Sequence, residues 1–243
     1  MKSEPGTAIV TGSTRGIGRA VAERLLADGW TVGVNGRGRA VTDTVAAELG
    51  DRAVALPFDV TDPRAVLDAF AAFRRSAGRV DAVVHSAGQM RDAPLGLLTE
   101  EMVEAQLMVN VAGALYVAQA AARVMGRGGG AVVLIGSVVG EDGSAGQTLY
   151  AATRAAIGGI VRSAAKELGP RGIRVNAVVP GIIDTDLTAG LTAEAKSDLA
   201  ARTPLRRTGE PADVADVISF LVSEDARFVT GEQLRVSGGL RLP

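Results

Sequence analysis

The chain has 243 residues, 47% apolar and 22% charged, with a formal net charge of -1. This balance suits one globular domain with a sizeable core and offers no broad electrostatic footprint for nucleic acid or an anionic membrane. With no cysteine and one histidine, His85, disulfides, thiolate catalysis and Cys-ligated zinc are excluded and no metal site is expected.

Met1 to Pro5 lead straight into an apolar run, so no signal peptide is expected. No apolar stretch reads as a membrane span of about 20 residues. A soluble, cytoplasmic protein is the expectation. Short β-branched runs alternate with longer amphipathic stretches, the pattern of βαβ units in a parallel sheet covered by helices on both faces. In chain order, strands are expected over residues 8–11, 31–34, 53–58, 82–85, 131–135, 174–179 and 233–236. Helices are expected over 18–28, 40–49, 63–76, 100–125, 149–168 and 211–223. Most of the strands are continuously apolar, as strands buried on both faces are. No repeat or linker interrupts the chain, which points to one α/β domain over 1–243. The long strandless segment 181–209 reads as a short helical lid, about 184–209, over a site.

The first strand runs into Gly12, Ser13, Thr14, Arg15, Gly16, Ile17 and Gly18, where a helix opens. Glycines in that context permit a tight turn and let backbone N–H groups and the helix N-terminus approach a pyrophosphate. The spacing is Gly-x-x-x-Gly-x-Gly rather than the common Gly-x-Gly-x-x-Gly. The second strand ends in Val34-Asn35-Gly36-Arg37, without the acid that holds a ribose 2′-hydroxyl in NAD sites. Arg15 and Arg37 instead offer guanidinium groups suited to a 2′-phosphate, so NADPH is preferred to NADH.

The glycine motif, Ser137, Tyr150 and the strand order resemble the short-chain dehydrogenase/reductase family over almost the whole chain. Within it, Gly136 to Gly140, Gly146-Gln147, Tyr150-Ala151-Ala152, Val229 to Glu232 and Gly238-Gly239 are similar to the β-ketoacyl-acyl-carrier-protein reductases. The resemblance implies a Rossmann-type, doubly wound sheet of order 3-2-1-4-5-6-7, a homotetramer, and an acyl carrier protein or carrier-bound thioester as partner. It also implies that Asp59 and Val60 flank the adenine and that Ser86, Ala87 and Gly88 line the cofactor channel. Pro180, Gly181, Ile183 and Thr185 would embrace the nicotinamide carboxamide. Tyr150 becomes the proton donor and Ser137 the hydrogen-bond donor to a carbonyl oxygen. Asn110 resembles the asparagine that holds a water in the proton relay. Taken singly, Ser137 reads rather as a helix or turn cap and Tyr150 as a core aromatic with a wet edge.

The family pattern is Tyr-x-x-x-Lys, whereas this chain has Tyr150-Ala151-Ala152-Thr153-Arg154. The spacing keeps the cation beside the phenol on one helix face. A guanidinium supplies positive charge and donors to the nicotinamide ribose but passes on a proton with difficulty. Reduced turnover with retained cofactor binding is therefore expected. His85-Ser86 stands where the family has Asn-Asn, and Ser237 where Asp is common; His85 reads as a packed residue rather than a proton carrier.

Arg127 and Arg171 resemble carrier-docking arginines by position, Arg206-Arg207 flank the lid, and Leu187, Leu191, Leu199 and Leu205 offer an apolar lid wall. Each of these also reads as an ordinary solvated or packed residue. Gly158 and Gly159 inside a helix require close approach of either a partner helix or this chain's own backbone. The leading expectation is an NADPH-dependent ketoreductase of a β-ketoacyl or polyketide thioester. The alternatives are oxidation of a small alcohol, or a low-activity or non-catalytic NADPH-binding subunit of a mixed tetramer with a paralogue.

Overall fold

Strands β1 (Thr7–Thr11), β2 (Thr31–Gly36), β3 (Ala53–Pro57), β4 (Ala82–His85), β5 (Gly130–Ile135), β6 (Ile173–Pro180) and β7 (Gln233–Val236) pair in parallel as one seven-stranded sheet. Its order is β3-β2-β1-β4-β5-β6-β7. The computed structural model describes residues 6–126, 128–186, 188, 190 and 192–242. Arg127, Leu187 and Leu191 therefore lie outside the described residues. The register brings the C-terminal ends of the central strands level: Thr11 pairs with His85, and His85 with Leu134.

Alternate residues of each central strand feed two cores, which is why the strands read as continuously apolar. Val10, Val34, Val84 and Val133 face helices α1 (Gly16–Ala27), α2 (Arg39–Leu49) and α9 (Pro211–Val222). Ile9, Val83, Val132 and Val175 face α3 (Pro63–Ala77), α5 (Gly113–Val124) and α7 (Thr148–Leu168). Local chemistry sets the helix ends. The Asp62 carboxylate accepts the N–H groups of Arg64 and Ala65 ahead of Pro63, and Gly78, at φ 81°, ends α3.

Two elements differ from the expectation. The single helix 100–125 is α4 (Glu100–Leu107), a π-helical turn over Met108–Ala112, and α5. By length and composition this run of 25 residues is apolar enough to cross a membrane, contrary to the sequence reading. In the fold, however, α5 lays Ala114, Val117 and Ala121 into the core. The second difference is a short helix, α6 (Val138–Asp142), directly after β5. The strandless segment does contain a helix, α8 (Ala193–Arg202), none of whose residues is buried.

Candidate active site

The site lies where the β-strands' C-terminal ends meet the loops that follow them. At the β1–α1 loop, Gly12 and Gly16 take φ of 63° and 55°, values that L side chains rarely adopt. A Cβ on Gly12 would lie 2.7 Å from the Ala87 backbone, so this glycine lets β1 and the Ser86-Ala87-Gly88 segment touch. Gly18 is pressed in the same way onto the Gly12 carbonyl. The α1 N-terminus has no side-chain cap and no acid in its first turn. That leaves its leading N–H groups and its dipole for an anion. The loop thus fits a dinucleotide's pyrophosphate.

Ser13 plays a different part from its neighbours. Its hydroxyl donates to the Val10 carbonyl (2.7 Å) and accepts from Asn35 N–H (2.9 Å), and its own N–H donates to the Asn35 carbonyl. Both polar groups are committed inside the protein, so Ser13 shapes the loop rather than presenting a side chain to a ligand. Asn35 is the residue that sequence reasoning missed. Its Oδ1 accepts Gly12 N–H (3.1 Å), while Nδ2 donates to Leu56 and Phe58 carbonyls (2.9 and 3.0 Å). The signal was present: a buried amide at a strand end needs several partners. Arg37 is exposed at the end of β2. Asp59 turns Oδ1 to the Thr61 N–H and hydroxyl (2.9 and 2.8 Å), and buried Val60 packs on Gly113.

Tyr150 is buried in the first turn of α7, and the Arg154 guanidinium sits over its ring, 5.0 Å from the centroid. Arg154 is itself buried; its Nη1 donates to the Ile135 carbonyl (3.0 Å), and its Nη2 fills the space that a side chain at position 88 would occupy. Arg154 Nε is buried without a partner among the described residues. Two residues beyond Ile135, Ser137 caps α6 by accepting Val139 N–H (3.2 Å). As a cap it is an acceptor only, which leaves its own proton for a carbonyl oxygen. The two alternatives read from the sequence are therefore compatible.

Asn110 sits on the π-helical turn with its side chain engaged. Oδ1 accepts Gln89 N–H, and Nδ2 donates to the Gln89 carbonyl (both 2.9 Å) and to Thr153 Oγ1 (3.0 Å). Thr153 in turn donates to the Tyr150 carbonyl (2.8 Å). Asn110 thereby braces the segment after Gly88 against the helix of Tyr150. With both Nδ2 hydrogens used, only Oδ1 or its backbone remains for a water. His85 is fully buried, with Nδ1 hydrogen-bonded to Thr11 Oγ1 (2.8 Å). Burial, reinforced by the Arg154 charge, pushes it down to about 3, so the ring is neutral around pH 7.

The strandless segment opens at Pro180-Gly181. Gly181 N–H donates to the Val236 carbonyl, and a side chain there would strike Ser237. Buried Ile183 bridges to Gly209, and the Thr185 methyl faces Gly16, so this segment's first turn stands beside the β1–α1 loop. Leu199 is half-buried and Leu205 exposed. The candidate docking arginines have local partners. Arg171 donates to the Ala122 and Met125 carbonyls at the end of α5, Arg206 to the Ala201 carbonyl, and Arg207 to both Asp213 oxygens (2.6 and 2.7 Å). Gly158 is explained within the chain, because Gln233 packs on it; Gly159 faces open space.

The family model described as enoyl-(acyl carrier protein) reductase matches residues 12–241. The 3-oxoacyl-(acyl-carrier-protein) reductase FabG of Haemophilus influenzae is 39% identical over 97% of this chain and 98% of its own length. The chain belongs to the short-chain dehydrogenase/reductases. Among solved members, a short-chain type dehydrogenase/reductase from Mycobacterium ulcerans superposes with TM-score 0.94 at 36% identity, covering 98% of this chain and 90% of the other. A blue fluorescent protein from a metagenomic library, in complex with NADPH, gives TM-score 0.90 at 38% identity with 98% of both chains covered. These relatives match along almost the whole of this chain. Their names give no support to a non-catalytic subunit.

Proposed function

We propose that the chain is an NADPH-dependent reductase of a 3-oxoacyl thioester, of fatty-acid or polyketide type and carried on an acyl carrier protein, yielding the 3-hydroxy product. The observation that carries this reading is Arg154 lying over the Tyr150 ring, with α6 and its Ser137 cap packed on the same helix, beside a glycine cradle suited to a dinucleotide. The full-length similarity to 3-oxoacyl reductases and to an NADPH-bound relative supports it.

Bound NADPH supplies the hydride. Gly12 and Gly16 with the α1 N-terminus would hold its pyrophosphate, Arg37 and Arg15 would read its 2′-phosphate, and Thr185 and Ile183 would border its nicotinamide. As the ketone oxygen gains negative charge, the Ser137 hydroxyl donates a hydrogen bond and Tyr150 transfers its proton. The Arg154 cation stabilises the phenolate left behind. Because a guanidinium surrenders a proton with difficulty, Tyr150 is recharged by water rather than through position 154. The carrier-protein partner and a homotetramer belong to the same proposal. Gly159, on the open face of α7, is compatible with close approach of a second helix.

The test is NADPH oxidation with an acetoacetyl thioester. The parent is expected to turn over and Tyr150→Phe to lose about 10²- to 10⁴-fold in kcat, the usual worth of general acid catalysis. A parent that binds NADPH yet reduces no 3-oxo thioester would refute the substrate assignment.

A further inference from the structure

Arg15 precedes the α1 helix, but its guanidinium is directed at the lid: Nη1 donates to Asp186 Oδ2 at 3.0 Å, across 171 positions of sequence. Asp186 is presented by a built turn. The Thr188 hydroxyl accepts from Thr185 N–H (3.1 Å) and donates to the Ile183 carbonyl (2.7 Å), while Asp184 N–H is tied to the Gly209 carbonyl and the Asp184 carboxylate to Lys196 and Thr208. The neighbouring Thr185 methyl rests against Gly16. Arg37, at the end of β2, makes no ion pair among the described residues.

We propose that Asp186 is a positioning residue for cofactor choice: it holds Arg15 on the lid and so competes with a 2′-phosphate for that guanidinium. This rests on the reading of Arg15 and Arg37 as the 2′-phosphate cations. Asp186 takes Nη1 and so spoils the Nη1/Nη2 fork for a phosphate, and the pair fixes the direction in which the free Nε/Nη2 edge faces. A cofactor bearing a 2′-phosphate therefore competes with Asp186 for Arg15, whereas NADH does not. Arg37 is the standing cation, and Arg15 is recruited at the cost of the pair.

The experiment measures dissociation constants of NADPH and NADH by nicotinamide fluorescence at low salt, on the parent, Asp186→Asn, Arg15→Ala, Arg37→Ala and the Asp186→Asn/Arg15→Ala double variant. Asp186→Asn is expected to tighten NADPH about two- to fivefold, the range open to an exposed ion pair, with NADH unchanged. That gain should vanish in the Arg15→Ala background. If Asp186→Asn tightens both cofactors equally, or leaves the NADPH preference unmoved while Arg15→Ala reduces it, the competition is refuted and the 2′-phosphate reading survives. If neither Arg15→Ala nor Arg37→Ala changes the preference, that reading fails and the inference falls with it.

Discussion

Arg154 is accommodated by what is missing from residue 88. A lysine would carry a compact ammonium to this place, whereas the planar guanidinium needs room, and glycine supplies it where Arg154 Nη2 reaches past the Tyr150 ring. A methyl at position 88 would push the cation off the phenol and off the Ile135 carbonyl. Gly88→Ala should therefore lower kcat about ten- to a hundredfold, the scale on which small misplacements act. The same change in an Arg154→Lys background should cost much less, and Arg154→Lys alone should raise turnover by opening a proton path. Steady-state kinetics on the four proteins tests both statements; equal losses in the two backgrounds would show that Gly88 serves the backbone and not Arg154. The pairing of Tyr150 with position 154 was legible from their four-residue spacing. The dependence on Gly88 was not, because 66 positions of sequence separate two residues that meet only when β4 and β5 lie side by side.

At the scale of elements, the apolar period marked 100–125 as helical but could not reveal where its hydrogen-bond ladder slips into a π turn, since the ladder is made by backbone atoms that every residue shares. The slip places Asn110 against Gln89 and Thr153. Likewise α6 has too few residues to show a period, and only the Ser137 cap betrays it. The sheet was legible because strands buried on both faces are apolar throughout. Asn110→Ala would leave the Gln89 N–H and carbonyl unpartnered, at about 1–3 kcal/mol for each buried group that finds no water. Thr153→Val removes a single bond to Asn110 and one to the Tyr150 carbonyl, at about 1 kcal/mol each. Thermal unfolding should show Asn110→Ala with the larger drop in Tm. Both variants should lose kcat, because the brace holds the helix that carries Tyr150. An Asn110→Ala protein with full Tm and kcat would show that Gln89 is held by other means.

Over the whole molecule, one buried histidine and two ion-paired carboxylates set the response to acid, and their signs can be worked out. His85 is pushed down to about 3, whereas an exposed histidine titrates near 6.5. Below pH 6.5 the unfolded chain binds a proton that the folded chain refuses, so stability falls as pH drops from about 6.5 towards 3, by up to about 1.4 kcal/mol per unit. The carboxylates act in a lower window. Asp142 accepts from Arg235 and from Leu242 N–H, which ties the end of α6 to β7 and the tail of the chain. The Arg235 hydrogen bonds hold it down at about 2, and Arg207 does the same for Asp213 at the start of α9. Their contribution is complete above about pH 4, where an unfolded aspartate is ionised, and is lost as pH falls towards 2. Acid should thus weaken the protein in two stages, first through the histidine inside the sheet and then through the ion pairs that tie α6 and α9 in place. Urea unfolding of the parent and of His85→Asn at pH 7, 6, 5 and 4 separates them. The variant's free energy should fall less steeply between pH 6 and 4, whatever its stability at pH 7. Parallel slopes would mean that His85 accepts its proton in the folded protein, and that the sheet beneath Arg154 yields to a second positive charge.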